Sequence, residues 1–239
     1  MSLKDGISNA VNGILNNNME VTDSKSIPDI NDANLTFGLT GKRFQSICLF
    51  IDMRGSTAIL EKHNSSTVIK IHKAYFITIL KIVRNYSGEV RSFNGDSILA
   101  FFQGHTAESI ENAIKSSMKL KYMLLVDDDC LKNKVFNMYD TNIDIGIGLD
   151  LGSTVASKVG QSGYNNQDLI WIGRNVNKSV KISDIRNTPK NIGISKRLYD
   201  KLPNSVKLDK EGNDMWIVEN FRYNGILEQI YKTSYYWEV

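Results

Sequence analysis

The sequence predicts an α+β protein built around an antiparallel or mixed sheet. Apolar runs of strand length and segments of helical periodicity follow one another without strict strand-helix alternation. Asn94 and Gly95 separate two short apolar runs, which is the strongest local signal for an antiparallel hairpin. The 239 residues, 41% of them hydrophobic, can bury the core of one large domain.

The N-terminal part predicts an appendage to this domain. Residues 3–17 have the pattern of an amphipathic helix, weakened by glycines and asparagines. Residues 16–41 are rich in Asn, Asp, Ser and Thr and contain Pro28, which is typical of a linker. We therefore expect an arm over residues 1–41 and a main domain over residues 42–239.

The main domain begins with a regular pattern of elements. We expect a strand over 44–52, a short helix from 56, a long helix over 66–86, and hairpin strands over 89–93 and 97–102. Asp96 then lies at the hairpin tip. A helix over 106–125, an acidic helix exit at 127–129, strands over 142–151, 153–159 and 168–172, a loop over 160–167 and a helix over 174–186 complete the pattern. The tail alternates short strands with one short helix.

Composition excludes several classes of protein. The net charge of +3 comes from 29 basic and 26 acidic residues without a basic run, so neither a nucleic-acid surface nor a membrane surface is expected. Cys48 and Cys130 lack the spacing of a zinc site or a disulfide framework. The N-terminus lacks a signal-peptide core, and no apolar run has the length of a membrane span. We expect a soluble, cytoplasmic protein.

Two aspartates stand where apolar runs meet polar turns. Asp52 ends the first strand and Asp96 lies in FNGDSILAFF. Two neighbouring carboxylates repel each other, and two divalent cations would relieve that repulsion and neutralise a polyphosphate. The alternative from the residues alone is that they are ordinary capping and turn aspartates.

The residues after Asp52 favour an anion site. Gly55, Ser56 and Thr57 stand at the start of a predicted helix, where free main-chain N–H groups attract phosphates. An N-capped helix with Ser56 or Thr57 as the cap would give the same pattern.

Three segments together resemble class III nucleotide cyclases. FIDMRGST resembles the first metal-binding strand of that family, and GEVRSFNGDSILAFF resembles its second metal-bearing hairpin. LIWIGRNVNKSVKI is similar to the segment whose Asn and basic residue act on the substrate, and GLDLGSTVASKVG fits the glycine-spaced hairpin that precedes it. The segments occur in the family's order over about residues 44–185.

The resemblance implies a ferredoxin-like α+β domain that works as a head-to-tail homodimer with its active sites at the interface. It implies that Asp52 and Asp96 bind two Mg²⁺ or Mn²⁺ ions with help from the backbone around Met53. It also implies that Gly55, Ser56 and Thr57 hold the β- and γ-phosphates. From the other protomer, Asn177 would orient the ribose and Lys181 would stabilise charge during transfer. Lys181 replaces a usual Arg and so loses the planar fork.

Two departures from the family pattern concern the base. Purine cyclases usually have a Lys at the position of Ser92 and an Asp or Thr at that of Ile170. A buried purine would leave unmatched polar groups there, each costing about 1–3 kcal/mol. With these substitutions the chain resembles the bacterial pyrimidine cyclases of the Pycsar antiphage system, which make cyclic CMP or cyclic UMP for a separate effector protein. Arg91 is a candidate contact to base or phosphate, although strand alternation could equally point it to solvent.

The sequence thus predicts a cyclase of CTP or UTP. Two alternatives stay open: an adenylate cyclase with an atypical base pocket, and a catalytically silent nucleotide-binding domain. The second alternative predicts a missing metal-binding acid, whereas both aspartates are present.

Overall fold

A computed structural model describes residues 1–160, 166–185 and 188–239. The strands are β1 (Glu20–Asp23), β2 (Thr40–Arg54), β3 (Gly88–Asn94), β4 (Ser97–Gln103), β5 (Asp144–Val159), β6 (Asp168–Ile172), β7 (Ile192–Ser195), β8 (Ile217–Tyr223) and β9 (Ile226–Thr233). The helices are α1 (Leu3–Leu15), α2 (Ser56–Lys62), α3 (Ser65–Asn85), α4 (Ala107–Lys121), α5 (Leu131–Tyr139), α6 (Arg174–Ser183), α7 (Lys196–Tyr199) and α8 (Asn204–Lys207). A π-helical turn, Tyr122–Val126, extends α4.

The strands form one mixed sheet. Its order is β3-β4-β2-β5-β7-β9-β8, with β1 beside the start of β2 and β6 beside the end of β5. Strand β1 is parallel to β2 and β7 is parallel to β5, while the other described pairs are antiparallel. The predicted α+β class and mixed sheet are confirmed.

Side-chain alternation along β2 separates two faces of the sheet. Ile47, Leu49 and Ile51 pack with the buried stripes of α3 and α4 in the larger core cluster. Phe44 and Cys48 belong to a second cluster on the other face, which also contains residues of β4, β5, β6 and α6. The even-numbered side chains of β2 therefore point to this second face, and Asp52 is one of them.

Most elements before residue 127 match the sequence-based expectation. The hairpin strands are confirmed, and Asn94 pairs with Ser97, so Asp96 lies in the two-residue turn between them. The predicted helices at 3–17, 66–86 and 106–125 correspond to α1, α3, and α4 with its π-helical turn. No helix in the described ranges combines the length and apolar character needed to cross a membrane.

Three expectations for the second half were wrong. The strands predicted at 142–151 and 153–159 form the single strand β5, which pairs with β2 without a break from Lys42–Ala156 to Arg54–Asp144. GLDLGSTVASKVG is therefore not a hairpin, because Gly152 continues the ladder opposite Ser46. Helix α5 was missed, and the tail has two short helices, α7 and α8, where one was expected.

Two expected boundaries fall at the undescribed segments. Residues 161–165 of the predicted loop over 160–167 lie outside the described residues. Residue 186, the predicted end of the helix over 174–186, also lies outside the described residues. Helix α6 itself ends at Ser183.

The N-terminal arm is exposed at its start and packs against the main domain further along. None of the residues of α1 is buried, whereas β1 joins the sheet, and Ile27 and Leu35 are buried in the second core cluster. Ser24 donates its main-chain N–H to Arg43 at 2.7 Å. Residues 20–41 therefore contact the main domain closely, while the division at residue 41 stays a prediction.

Helix α6 lies against β5 at two glycines. A Cβ on Gly146 would overlap the carbonyl oxygen of Ser183, and one on Gly148 would overlap that of Ser179. The alternation of Gly146 and Gly148 on one strand face thus allows the helix backbone to approach the strand backbone directly.

Replacing Gly148 with Ala is expected to destabilise the protein by about 1–3 kcal/mol, because the new methyl group forces α6 away from β5. Urea unfolding measures this change. Gly13→Ala is the matched control, since no atom lies within 4 Å of its added Cβ and Ala favours the interior of α1. Equal stabilities for the two variants would contradict the close approach.

Candidate active site

The two aspartates meet because their strands are paired. Asp52, near the end of β2, pairs with Ser97, the first residue of β4. Asp96 precedes Ser97 in the turn, where Gly95 adopts a φ of 63°. This left-handed conformation suits glycine, and it lets the chain reverse within two residues. The register therefore places the carboxylates side by side.

The electrostatics of this pair reflect burial and repulsion. Burial, the charge of Asp96, a hydrogen bond with Asp96 and the charge of Asp184 raise the pKa of Asp52 to about 6, while Arg54 opposes them. Two carboxylates this close share a proton or require cations between them.

A divalent cation fits this donor set. Tyr75, on α3, is buried, and its hydroxyl has no hydrogen-bond partner among the described residues. Burial and the charges of Asp52 and Asp96 raise the pKa of Tyr75 well above its usual value. No group of three or more His, Cys, Asp and Glu side chains in the described ranges could hold a metal. Two carboxylates alone suit Mg²⁺ that arrives with substrate phosphates, since Mg²⁺ commonly keeps few protein ligands.

A cleft of about 560 Å³ opens beside the pair. Its lining includes Asp52, Asp96 and the predicted phosphate-binding segment, with Glu61 and Asp184 as further acids: Asp52, Met53, Arg54, Gly55, Ser56, Thr57, Ala58, Glu61, Asp96, Ser183 and Asp184. The side chain of Met53 is buried in the core, so its backbone is the part available to the cleft. Gly55 has a φ of 80° and turns the chain from β2 into α2. The main-chain N–H groups of the first α2 turn lack helical partners, as at every helix start.

Arg54 contributes a cation that sequence reasoning missed. Its guanidinium donates to Asp144 at 3.2 Å and to the carbonyls of Ser183 and Ile185 at 3.1 and 2.8 Å. Arg54 thereby ties the end of β2 to the end of α6. Its position directly after Met53 was visible in the sequence, but these partners are distant in the chain.

Asn177 and Lys181 are not brought into this cleft. Both are exposed on α6, and the ammonium of Lys181 lies 3.7 Å from the carboxylate of Asp184. Only the end of the helix, at Ser183 and Asp184, reaches the cleft wall in the described part of the chain. One chain therefore presents the predicted site as two separate halves.

A second, smaller cleft of about 310 Å³ joins the two positions that depart from the purine-cyclase pattern. Its lining is mostly apolar: Phe50, Ser92, Asn94, Leu99, Leu169, Ile170, Trp171, Val176 and Val180. Sequence reasoning named Ser92 and Ile170 but missed Phe50 and Trp171. The even numbering of Phe50 and Asp52 on β2 is the signal that places them on one sheet face.

Arg91 does not line either cleft. It is the extra residue of a β-bulge between Val90 and Ser92, and its guanidinium donates to the carbonyls of Pro28 at 2.9 Å and Ile27 at 3.3 Å. It also pairs with Glu89. Its role as a substrate contact stays a prediction, and that role requires release from the arm.

Comparisons with known proteins agree with this geometry. Residues 39–220 match the family described as "Adenylate and Guanylate cyclase catalytic domain". The chain is 28% identical to a protein named "Uridylate cyclase" from Xanthomonas perforans, over the whole of both chains. It is 30% identical to a "Cytidylate cyclase" from Staphylococcus aureus over 61% of this chain and 40% of that one. The adenylyl cyclase CyaB from P. aeruginosa shares the fold with a TM-score of 0.66 at 20% identity, covering 81% of this chain and 95% of that one.

Proposed function

The chain belongs to the adenylate and guanylate cyclase catalytic domain family, and we propose that its substrate is a pyrimidine nucleoside triphosphate, with UTP preferred over CTP. The reaction would give the 3′,5′-cyclic nucleotide and pyrophosphate. The observation that carries the pyrimidine assignment is the small cleft in which Ser92 and Ile170 occur together. Relatives matched over their full length, such as that of Xanthomonas perforans, bear the name uridylate cyclase, which favours UTP.

Asp52 and Asp96 would hold two Mg²⁺ or Mn²⁺ ions, with the backbone at Met53 assisting. Ions bound there would lower the cost of ionising the ribose 3′-hydroxyl and would neutralise the triphosphate. The first-turn N–H groups at Gly55, Ser56 and Thr57 would bind the β- and γ-phosphate oxygens.

The remaining groups would align the transfer. Asn177 would orient the ribose, so that its 3′-oxygen attacks the α-phosphorus in line. The 3′-hydroxyl releases its proton to solvent as the new bond joins the 3′-oxygen to that phosphorus, and the bond from the α-phosphorus to the bridging oxygen breaks to release pyrophosphate. The ammonium of Lys181 would stabilise the charge that grows during this transfer. Positioning and charge neutralisation suffice, and no side chain acts as a nucleophile.

A head-to-tail homodimer would assemble the complete site. Asn177 and Lys181 are exposed and do not line the cleft of their own Asp52 and Asp96. A second copy can present α6 to that cleft, and the reverse contact then forms an equal site, as two-fold symmetry requires.

The base would be held by shape more than by a purine-specific pair of side chains. Ile170 offers no hydrogen bond, and Ser92 offers a single hydroxyl in place of a charged group. A purine placed against Ile170 would leave polar atoms unmatched at about 1–3 kcal/mol each, which disfavours ATP and GTP. The resemblance to antiphage pyrimidine cyclases further supports a product that acts as a second messenger on a separate effector protein.

Incubation of the purified protein with each of the four nucleoside triphosphates and Mn²⁺ tests the substrate. Cyclic UMP is the expected main product, with cyclic CMP as the weaker one. Product from ATP alone would overturn the pyrimidine assignment and favour an adenylate cyclase with an atypical base pocket. No product from any nucleotide would favour a catalytically silent nucleotide-binding domain. Protein carrying Asp96→Asn provides the blank for contaminating cyclases.

A further inference from the structure

One carboxylate on β9 binds two cationic side chains of α6. Arg174 donates to Glu228 at 2.6 Å, and the ammonium of Lys178 forms an ion pair with the other oxygen of the same carboxylate. The Tyr223 ring, on β8, lies 5.6 Å from each of the two cations. The β8–β9 hairpin therefore contacts α6 through the Glu228 carboxylate and the Tyr223 ring.

The two lysines of this region have opposite surroundings. The side chain of Lys178 is 5% exposed, whereas that of Lys181 is 64% exposed. Asn177 is exposed, whereas Lys178, the next residue, is buried. Lys178 thus holds the helix to the hairpin, while Lys181 is exposed and pairs with Asp184, its neighbour at the end of α6.

A buried ammonium depends on its counter-charge. The hydrogen bond with Lys178 holds the pKa of Glu228 below its usual value, so this carboxylate is charged at neutral pH. Without that charge, the buried ammonium would be uncompensated, and it would draw toward water. Because Arg174 and Lys178 both hold α6 to Glu228, the loss of this carboxylate would let the helix shift or rotate relative to β9.

A rotation of α6 would move the residues assigned to the substrate. Asn177 precedes Lys178, and Lys181 lies three residues beyond it on a helix of ten residues. One turn further along the same face, Ile182 packs with Phe221 and Ile230 of the same hairpin. The hairpin therefore contacts α6 at Lys178 and again at Ile182, one turn apart.

Resting on the proposed function, we propose that Glu228 is a positioning residue that holds Asn177 and Lys181 in register with the partner's metal-binding half. It does not contact the substrate. Its effect should reach only the active site to which its own α6 contributes.

Mixed dimers, purified through two affinity tags, test whether Glu228 affects only the site that receives its own α6. In the reference dimer one subunit carries Asp52→Ala and the other Lys181→Ala, so the single complete site takes α6 from the Asp52→Ala subunit. Glu228→Gln is then added either to the Asp52→Ala subunit or to the Lys181→Ala subunit. Cyclic UMP formation from UTP with Mn²⁺ and the melting temperature are measured for each dimer.

Glu228→Gln on the Asp52→Ala subunit is expected to lower kcat about 10- to 100-fold, since a misplacement of about 1 Å can cost that much. The same change on the Lys181→Ala subunit should leave kcat close to the reference. Equal losses in the two arrangements, or no loss in either, would overturn the positioning role. An inactive reference dimer would overturn the shared site and this inference with it, so the two failures are distinguishable.

Two further variants separate positioning from folding. Glu228→Asp keeps the charge beside Lys178 but shortens the side chain. It should lower kcat only when it is on the Asp52→Ala subunit, and by less than Glu228→Gln does. Glu111→Gln removes a comparable acid, which pairs with Lys115 at 2.6 Å on α4, and it should change neither arrangement. A loss of kcat from Glu111→Gln equal to that from Glu228→Gln would also contradict the assignment.

Discussion

Cyclase activity is expected to fall by about three orders of magnitude or more when Asp96 is replaced by Asn, because a lost cation contact removes several kcal/mol of charge stabilisation. The substitution keeps the size of the side chain and its place in the turn between β3 and β4. Product formation from UTP measures the loss. Calorimetric titration with Mn²⁺ should show weaker binding as well, which ties the loss to the cation.

The fold of this variant should be unharmed. The charge of Asp96 helps to raise the pKa of Asp52, so the two carboxylates repel each other without a cation. Removing one charge is therefore expected to keep or raise the melting temperature of the metal-free protein. Asp200→Asn, in an exposed ion pair with Lys196, is the matched control and should keep full activity. An Asp96→Asn protein that folds and turns over normally would refute the metal-binding assignment.

The two aspartates could be predicted because local signals position them. The apolar run of β2 ends at Asp52, and Asn94-Gly95 predicts the turn that carries Asp96. The pairing of Asp52 with Ser97 depends in addition on the register of β4 against β2, which the hairpin does not fix. Local signals thus place each aspartate at the end of its strand, whereas their meeting depends on how the strands pair.

The partners of Arg54, Arg91 and Lys178 could not be predicted in this way. Arg91 reaches Pro28, and Lys178 reaches Glu228, across long stretches of chain. Neither contact has a periodicity or a turn signal, because it depends on how whole elements pack. The same limit hid Tyr75, which fits the buried stripe of α3 and whose hydroxyl is influenced by the charges of Asp52 and Asp96 only in the folded chain.

The errors in the second half have local causes. Gly152 suggested a turn, although an extended glycine fits a strand wherever a neighbouring backbone or side chain approaches, and Asn175 and Arg197 do so here. Helix α5 buries only Leu131 and Val135, so its apolar pattern is too sparse to identify it. Gly146 and Gly148 were the missed signal for the close approach of α6.

Mixing two inactive proteins is expected to restore activity. Asp52→Ala subunits keep α6 intact, and Lys181→Ala subunits keep the metal-binding half, so a mixed dimer has one complete site. Random pairing at equal amounts makes half of the dimers mixed, each with one of two sites complete, which predicts about a quarter of wild-type activity. Cyclic UMP formation after mixing and re-equilibration measures this recovery.

The matched control mixes Asp52→Ala with Asp96→Asn subunits. Both defects then fall in the metal-binding half, so no pairing can complete a site, and the mixture should stay inactive. Recovery in the first mixture alone would mean that Asp52 and Lys181 act from different chains. If neither mixture recovers while mixed dimers form, each chain must complete its own site. Because Asn177 and Lys181 lie on the exposed side of α6 and outside the cleft of Asp52 and Asp96, that outcome would require α6 to leave its position over Gly146 and Gly148.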